Sequence, residues 1–472
     1  MKFLKLSLAA CVAVCGIASS ASAQDLEEAI RGVDVSGMLR YRYRDDRYTD
    51  RNYKKNNEDK GSARHQWRAE ALFKTPVMDA VSMNLSVRYH NPEQNVNHGN
   101  GLYDANGNLI VGTKGLNKGL GSGKDGNFGV GEFNIVITPD FTNTTIKAGK
   151  MILTTPLNDP LDDRGTGILA MNSDLNHWTF VGGAFDSWSI DDFQTGYVDP
   201  YTGNNTGESI TKPLYTIAAL GNYETSVGNI GAQIWGFKID DILDSGMFLQ
   251  LGFSNSLFHI TGQYAFANLD NDRNHLLYQA AYNDRVRGGA DLYTIEAGVR
   301  FHDYNVPLAL KLGYMGNTKD SYAVSLDNEG SFNKVGQIWF ENNATGVSIS
   351  TLPIEGQSMP DNHQGNSLSV FYGSLNYDIL DNLNIGIEYV NGTNELKYSA
   401  TNRGDIDFQE ITPIIRWQYT KNLAFSTYYA MLTTDRDRSV TPKSVNGGVP
   451  LATTAPDSED RNRLQVEVRY TF

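Results

Sequence analysis

Beyond residue 23 the chain has no apolar run approaching the ~18 to 20 residues that a membrane helix needs. Its apolar residues are instead spaced two apart in segments of about ten residues, the length of a tilted strand crossing hydrocarbon. The last segment is the clearest. Leu464, Val466, Val468, Tyr470 and Phe472 share one face, and Arg463, Gln465, Glu467, Arg469 and Thr471 share the other. The same division separates Val81, Met83, Leu85, Val87 and Tyr89 from Ser82, Asn84, Ser86, Arg88 and His90. It recurs at 33–44, where Leu39, Tyr41 and Tyr43 alternate with Arg40, Arg42 and Arg44, and at 293–302, where Ile295 and Val299 alternate with Glu296 and Arg300. One face suits lipid and the other water.

A soluble sandwich also alternates, so further features are needed to place these strands in a membrane. The apolar faces end in aromatic residues such as Tyr41, Tyr89, Phe301, Tyr389, Trp417, Tyr419 and Tyr470, as an interfacial girdle requires. The connectors alternate between short and long, as periplasmic turns and outer loops do. This rule predicts strands over 33–44, 63–74, 81–90, 127–138, 144–151, 166–171, 178–188, 213–223 and 230–239. It continues over 246–253, 257–267, 291–302, 307–315, 367–379, 383–392, 408–420, 423–433 and 462–472. The expected fold is all-β, a transmembrane antiparallel β-barrel of about eighteen strands, an even number that lets the first and last strands pair and leaves no edge in lipid. Two segments depart from the pattern. In 230–239 both faces are apolar, Ile230 and Ile234 opposing Trp235, Phe237 and Ile239, and Pro413 marks a bulge or a strand end within 408–420.

Residues 1–23 read as an export signal: a basic start at Lys2 and Lys5, an apolar stretch from Leu6 to Ile17, and Ala21-Ser22-Ala23 before the cleavage point. Residues 24–472 are then the barrel. Leu8-Ala9-Ala10-Cys11 offers a rival lipoprotein site, but few apolar residues precede the cysteine. Removing the leader takes away Lys2, Lys5, Cys11 and Cys15, so the net charge moves from -14 to -16 and no cysteine is left. Disulfide frameworks, cysteine-held metals and cysteine nucleophiles are thereby excluded. The acidic balance makes nucleic acid a poor partner, and eight scattered histidines with no HExxH and no GxSxG give no basis for an enzyme.

The long connectors carry several isolated signals. Gly121-Ser-Gly123-Lys-Asp-Gly126 matches GxGxxG but sits in a loop feeding a strand, the wrong context for a dinucleotide. Asp104 to Asn108 and Asp270 to Asn274 resemble calcium-loop fragments without the central glycine and closing glutamate, and read as solvated turns. The segment 152–166 is stiffened by Pro156 and Pro160 and charged by Asp159, Asp162 and Asp163. It is either an exposed loop or one folded into the barrel, its carboxylates facing the inward Arg40, Arg42, Arg64, Arg68 and Arg88 to narrow the channel with a transverse field. The loops 189–212, 316–366 and 433–461 are expected outside. Trp339 and Phe340 stand out within the second, as a filling for the barrel mouth, a latch on a neighbour or a local loop core.

The chain resembles the major outer-membrane porins of Campylobacter and its relatives. The resemblance rests on Leu26-Glu-Glu-Ala-Ile-Arg-Gly-Val-Asp-Val-Ser-Gly-Met-Leu-Arg-Tyr-Arg-Tyr43, on Ile146-Lys-Ala-Gly-Lys150, on Gly165-Thr-Gly167 and on the terminal Phe472. It implies an eighteen-stranded homotrimeric porin in outer-membrane lipid, with loop three inside the lumen and calcium near the constriction. The matching calcium positions are Asp125, an aspartate of loop three (Asp159 or Asp163) and Glu296. The expected function is general diffusion of ions and small hydrophilic solutes, mildly cation-selective, with acidic loop three facing the arginine ladder. The alternatives are a substrate-selective channel and a surface adhesin.

Overall fold

The computed structural model describes residues 32–50, 60–91, 127–158, 163–189, 212–241, 243–269, 289–318, 331–340, 345, 347, 365–397, 403–437 and 458–472. These form eighteen strands. In chain order the first nine are β1 (Asp34–Asp50), β2 (Lys60–Lys74), β3 (Val81–Asn91), β4 (Asn127–Ile137), β5 (Thr144–Ile152), β6 (Arg164–Asn172), β7 (Trp178–Ser189), β8 (Leu214–Thr225) and β9 (Gly228–Ile239). The rest are β10 (Leu243–Ser254), β11 (Phe258–Leu269), β12 (Gly289–Arg300), β13 (Leu308–Gly316), β14 (Gly365–Leu380), β15 (Leu383–Lys397), β16 (Arg403–Gln418), β17 (Leu423–Arg436) and β18 (Ser458–Thr471). Each pairs antiparallel with its neighbours in sequence, and β1 pairs with both β2 and β18, so the sheet closes. The seam is completed by the final residue, since Gly37 and Phe472 exchange backbone N–H···O bonds of 2.9 and 3.1 Å.

All eighteen predicted strands are present, and their ends at the short-turn side agree with the sequence reading to within about two residues. At the opposite end several run further: β1 continues to Asp50, β15 to Lys397, and β16 begins at Arg403. There the outward positions include Asp45, Glu395, Asp405 and Asp407, so the apolar outward face disappears from the sequence while the backbone ladder persists. Pro413 neither bulges nor ends β16. It pairs with Ile387 on β15, whereas on the β17 side the register passes from Ile411 to Ile414 without slipping, a gap that reflects the N–H proline lacks. Outward side chains such as Leu39, Ile217, Leu251, Ile295, Leu312, Phe371 and Ile387 are exposed, as a lipid belt requires. Near the short turns Trp417 packs against Tyr419 and Phe425, with ring centroids 4.9 and 5.6 Å apart, within an aromatic rim.

The interior is not uniformly polar. Over much of β5 to β12 the inward face is apolar as well, and Met151, Leu169, Phe185, Leu214, Trp235, Phe237, Phe248 and Leu292 belong to one buried cluster that continues onto β13 to β17 through Met315, Val370, Val390, Phe408 and Leu432. This explains the double apolarity of β9: Ile230 and Ile234 face lipid, while Trp235, Phe237 and Ile239 face a core inside the barrel. Two connections between strands fold inward and supply the other side of that core. Counting only the connections opposite the short turns, the third, joining β5 to β6, contributes Leu153 and Leu157; the seventh, joining β13 to β14, contributes Phe332, Val335, Ile338, Trp339 and Phe340. The two touch where the Ser331 N–H donates to the Pro156 carbonyl at 2.8 Å. Residues 331–340 therefore lie within the barrel rather than outside it, correcting the placement expected for the whole of 316–366. Burying one Leu- or Phe-sized side chain stabilises by ~1.5 to 3 kcal/mol, so the infolded segments are held by packing as well as by polar contacts. Asp104 to Asn108, Gly121 to Gly126 and Asp270 to Asn274 lie outside the described residues.

Candidate functional site

The polar arc of the lumen is built by β13 to β18 and β1 to β4. Strand alternation directs Arg40 and Arg42 of β1 and Arg68 of β2 inward, and the register sets Arg469, Arg40 and Arg68 side by side across β18, β1 and β2. Like charges directly opposed are destabilising, and carboxylates on the same wall offset them. Glu467 lies between Arg42 and Arg469, 2.8 Å from each guanidinium, and those cations hold its charge in a largely buried place. Glu70 lies 3.4 Å from Arg88 and 3.9 Å from Arg164. Asp46 accepts from Arg461 and Arg463, at 3.0 and 2.7 Å. Charge-assisted bonds of this kind are the strong ones, and in a buried setting each charge needs its partner.

Of the predicted site residues, Arg40, Arg42, Arg68 and Arg88 are thus on the lumen wall. Arg64 is the backbone register partner of Arg44 in the β1–β2 ladder. Asp163 is buried and accepts from the Asn158 amide at 2.7 Å, closing the third connection on itself while its backbone carbonyl accepts from Leu153 and from Arg164. Asp159, Asp162 and Asp125 lie outside the described residues. Glu70, Glu467, Asp46 and Arg164 were not anticipated as site residues, although the period-two rule that selected the arginines places Glu70, Asp46 and Glu467 on the same face.

The seventh connection is held by β15 and β16 of the same arc. The buried Glu410 carboxylate of β16 accepts the backbone N–H groups of Gln337, Ile338 and Trp339 at 2.5, 3.1 and 2.8 Å, and the Thr412 hydroxyl at 2.7 Å. Successive amides converging on one anion form a nest. Glu388 accepts from Gly336 N–H and from the Gln337 amide, and its other oxygen meets Arg416 at 3.1 Å. Gln263 bonds both ends of the segment's first turn, donating to the Ser331 carbonyl and accepting from Asn333 N–H. Gly336 has φ 84, where a side chain is strained, and an added Cβ would stand 2.6 Å from Trp339 Cδ1. Trp339 stacks on Phe408 at 5.7 Å and donates its indole N–H to the Val335 carbonyl. Sequence inspection singled out Trp339 and Phe340 but could not show that acids some seventy residues away would hold them.

Glu296 of β12 is buried, and three neighbours engage its carboxylate: Lys311 Nζ at 3.4 Å, His259 Nε2 at 3.5 Å and the Tyr372 hydroxyl at 3.2 Å. The same Tyr372 hydroxyl lies 3.0 Å from the Asn333 carbonyl, so its one proton is shared between the two acceptors and ties this cluster to the seventh connection. Such surroundings suit an ammonium group, and a divalent cation at Glu296 would have to compete with Lys311. Among the described residues no three acidic or histidine side chains come together as a metal cage requires.

Comparison with known proteins supports this architecture. A family described as Campylobacter major outer membrane protein matches residues 1–470. No curated relative matches by sequence. Among solved structures, OccAB1 of Acinetobacter baumannii is similar at 14% identity with TM-score 0.58, covering 93% of this chain and 97% of that one. OccK9 (OpdG) of Pseudomonas aeruginosa is 13% identical with TM-score 0.54, covering 94% and 100%. OpdK of Pseudomonas aeruginosa, solved with vanillate, is 11% identical with TM-score 0.52, covering 93% and 99%. At these identities the likeness speaks for the barrel alone. With a family match that spans almost the entire sequence and a closed eighteen-stranded barrel to go with it, the chain belongs to the Campylobacter major outer membrane protein family and resides in the outer membrane.

Proposed function

We propose that this outer-membrane porin is a passive diffusion channel for ions and small hydrophilic solutes, mildly cation-selective and assembled as a homotrimer. The observation that carries the reading is the closed barrel whose polar arc is lined with balanced ion pairs, while two infolded connections pack against its inner wall and narrow the lumen. The acidic balance of the chain favours cations at the mouth, where charge acts on solutes before they enter. Reversal potentials in a salt gradient across a planar bilayer test this, and a clear anion preference would remove the selectivity claim. Conductance steps in threes, with heat-modifiable migration of the assembled form, test the trimer.

A substrate-selective channel is the second reading, favoured by the fixed seventh connection, which shapes the lumen through named hydrogen bonds rather than leaving it a plain cylinder. Saturable block by a solute at micromolar concentration would support it. The calcium expected from the family resemblance would draw on Asp125, Asp159 or Asp163, and Glu296. It predicts a calcium-dependent rise in thermal stability that Glu296→Gln abolishes, and an indifferent melting curve would dismiss it.

A further inference from the structure

We propose that the short turns between β2 and β9 seat the barrel on the periplasmic leaflet, as a rigid rim whose apolar tips enter a phospholipid surface with ammonium-bearing headgroups. Four successive turns make up the rim: 75–80, 138–143, 173–177 and 226–227. Each presents an apolar side chain that stays largely exposed. Phe141 is 91% exposed, Val227 69%, Met78 60%, Val77 58% and Leu175 55%. Single exposed apolar residues are ordinary on a protein surface, but these recur at every turn along one arc, and the turns that carry them are fastened together.

Hydrogen bonds run from turn to turn. The Thr138 N–H donates to the Ala80 carbonyl at 2.8 Å, joining the first turn to the second. Asp174 joins the second to the third: its carboxylate accepts from the Thr142 hydroxyl, from the Asn143 N–H at 2.6 Å and from the Asn172 amide at 2.7 Å. The Ser173 N–H also donates to the Asn143 carbonyl at 3.0 Å. The Asn222 N–H donates to the His177 carbonyl at 2.9 Å, tying the third turn to the β8–β9 hairpin, where the Thr225 hydroxyl donates to the Gly228 carbonyl at 2.6 Å. These polar groups are answered within the rim, so its tips can leave water without stranding them.

The rim lies one headgroup layer beyond the lipid belt. Trp178, at the start of β7, packs edge-on against Tyr223 with ring centroids 6.1 Å apart, in the aromatic girdle. Leu175 lies three residues before Trp178. It therefore reaches at most ~10 Å past that ring, and less along the membrane normal because the strands tilt. The headgroup layer is ~5 to 7 Å deep, so the tips continue the lipid belt into that layer. Carboxylates stand beside them: Asp79 follows Met78, Asp140 precedes Phe141, Asp174 precedes Leu175, and the four turns contain no Lys or Arg. Such a rim repels anionic headgroups and suits an ammonium group, whose N–H donors match carboxylates.

The test uses the full chain with Cys11→Ser and Cys15→Ser, which removes both of its cysteines. Phe141→Cys, Leu175→Cys, Val227→Cys and the lumen-facing Ser426→Cys are each labelled with the fluorophore NBD. They are reconstituted in vesicles of phosphatidylethanolamine with phosphatidylglycerol, or of phosphatidylglycerol alone, at one ionic strength so that screening does not vary. A lipid carrying a nitroxide at its headgroup reports contact, and iodide on both sides of the membrane reports water. In the mixed vesicles the three turn labels should show nitroxide quenching, a blue shift and loss of iodide quenching, with Ser426→Cys open to iodide throughout. Phosphatidylglycerol alone should weaken all three effects. Phe141→Gln combined with Leu175→Gln and Val227→Gln should lower the heat-modification temperature in mixed vesicles and leave it unchanged in detergent, which separates seating from folding. Turn labels as open to iodide as Ser426→Cys would overturn the inference and leave the rim to a soluble partner. An equal loss of stability in detergent would also overturn it, and equal behaviour in the two lipids would overturn the ammonium assignment.

Discussion

Replacing Glu410 with alanine should release the seventh connection from the barrel wall. The buried carboxylate accepts three successive backbone N–H groups, and the alanine leaves Gln337, Ile338 and Trp339 without that acceptor. A hydrogen bond to a charged group contributes ~1.5 to 3 kcal/mol, and lumen water can replace much of it, so a net loss of about 3 kcal/mol is expected across the set. That shifts the balance between docked and displaced segment about 150-fold. The segment retains Glu388, Gln263 and the packing of Trp339 on Phe408, so displacement should be intermittent. Single-channel recording should show added conductance substates, and the emission of Trp339, buried in the parent, should move to the red. Glu410→Gln, which keeps one acceptor oxygen, should fall between. A variant with parental conductance, parental noise and parental tryptophan emission would refute the idea that this carboxylate positions the segment.

Three further outcomes follow from the same structure. Gly336→Ala should produce a weaker form of the Glu410 phenotype, because φ 84 strains a side chain and its Cβ would collide with Trp339, a cost of about 1 to 2 kcal/mol. Trp235→Ala should destabilise the barrel by ~3 to 5 kcal/mol in a denaturant titration while leaving the conductance of the folded fraction unchanged, since Trp235 packs inside the apolar arc. In the turn at 173–177, the Thr142 hydroxyl, followed by the Asn143 N–H and the Asn172 amide, holds the Asp174 carboxyl down to about 2 from its ordinary 3.8. The stability it adds is present above the ordinary value and lost as pH falls through about 2. Asp174→Asn should therefore lower the heat-modification temperature at neutral pH, and the difference from the parent should close as the pH falls through that window.

What the sequence revealed followed the physics that acts on neighbouring residues. Lipid on one side and water on the other force alternation, so strand number, the outward belt and the inward arginines were legible from residues such as Leu39, Arg40, Tyr41 and Arg42. The pattern fails where the outward face leaves lipid or the inward face leaves water. At the outer ends of β1 and β16 the outward positions are polar, as at Asp45, Asp405 and Asp407, so the lipid signal stops before the strands do, and β9 is apolar on both faces and reads as ambiguous. The ambiguity of β9 was itself the trace of an internal core. The partners of Glu410 could not have been found in this way, because they are backbone amides of a distant connection and bear no side-chain signature. Trp339 and Phe340 signalled that something in that connection was buried, but not where.

The uneven interior separates two quantities that an evenly lined cylinder would couple. Along β5 to β12 the inward residues pack against each other and against the infolded connections, so substitutions there are felt as folding defects. Along β13 to β18 and β1 apolar residues of the same cluster alternate with ion pairs in which partly exposed cations such as Arg416 and Lys311 stand beside buried carboxylates, and those cations can be exchanged with little loss of packing. A lineage of such proteins can retune what it admits at the partly exposed cations while the buried cluster keeps the fold, and passage becomes free to evolve on a scaffold that does not have to change with it.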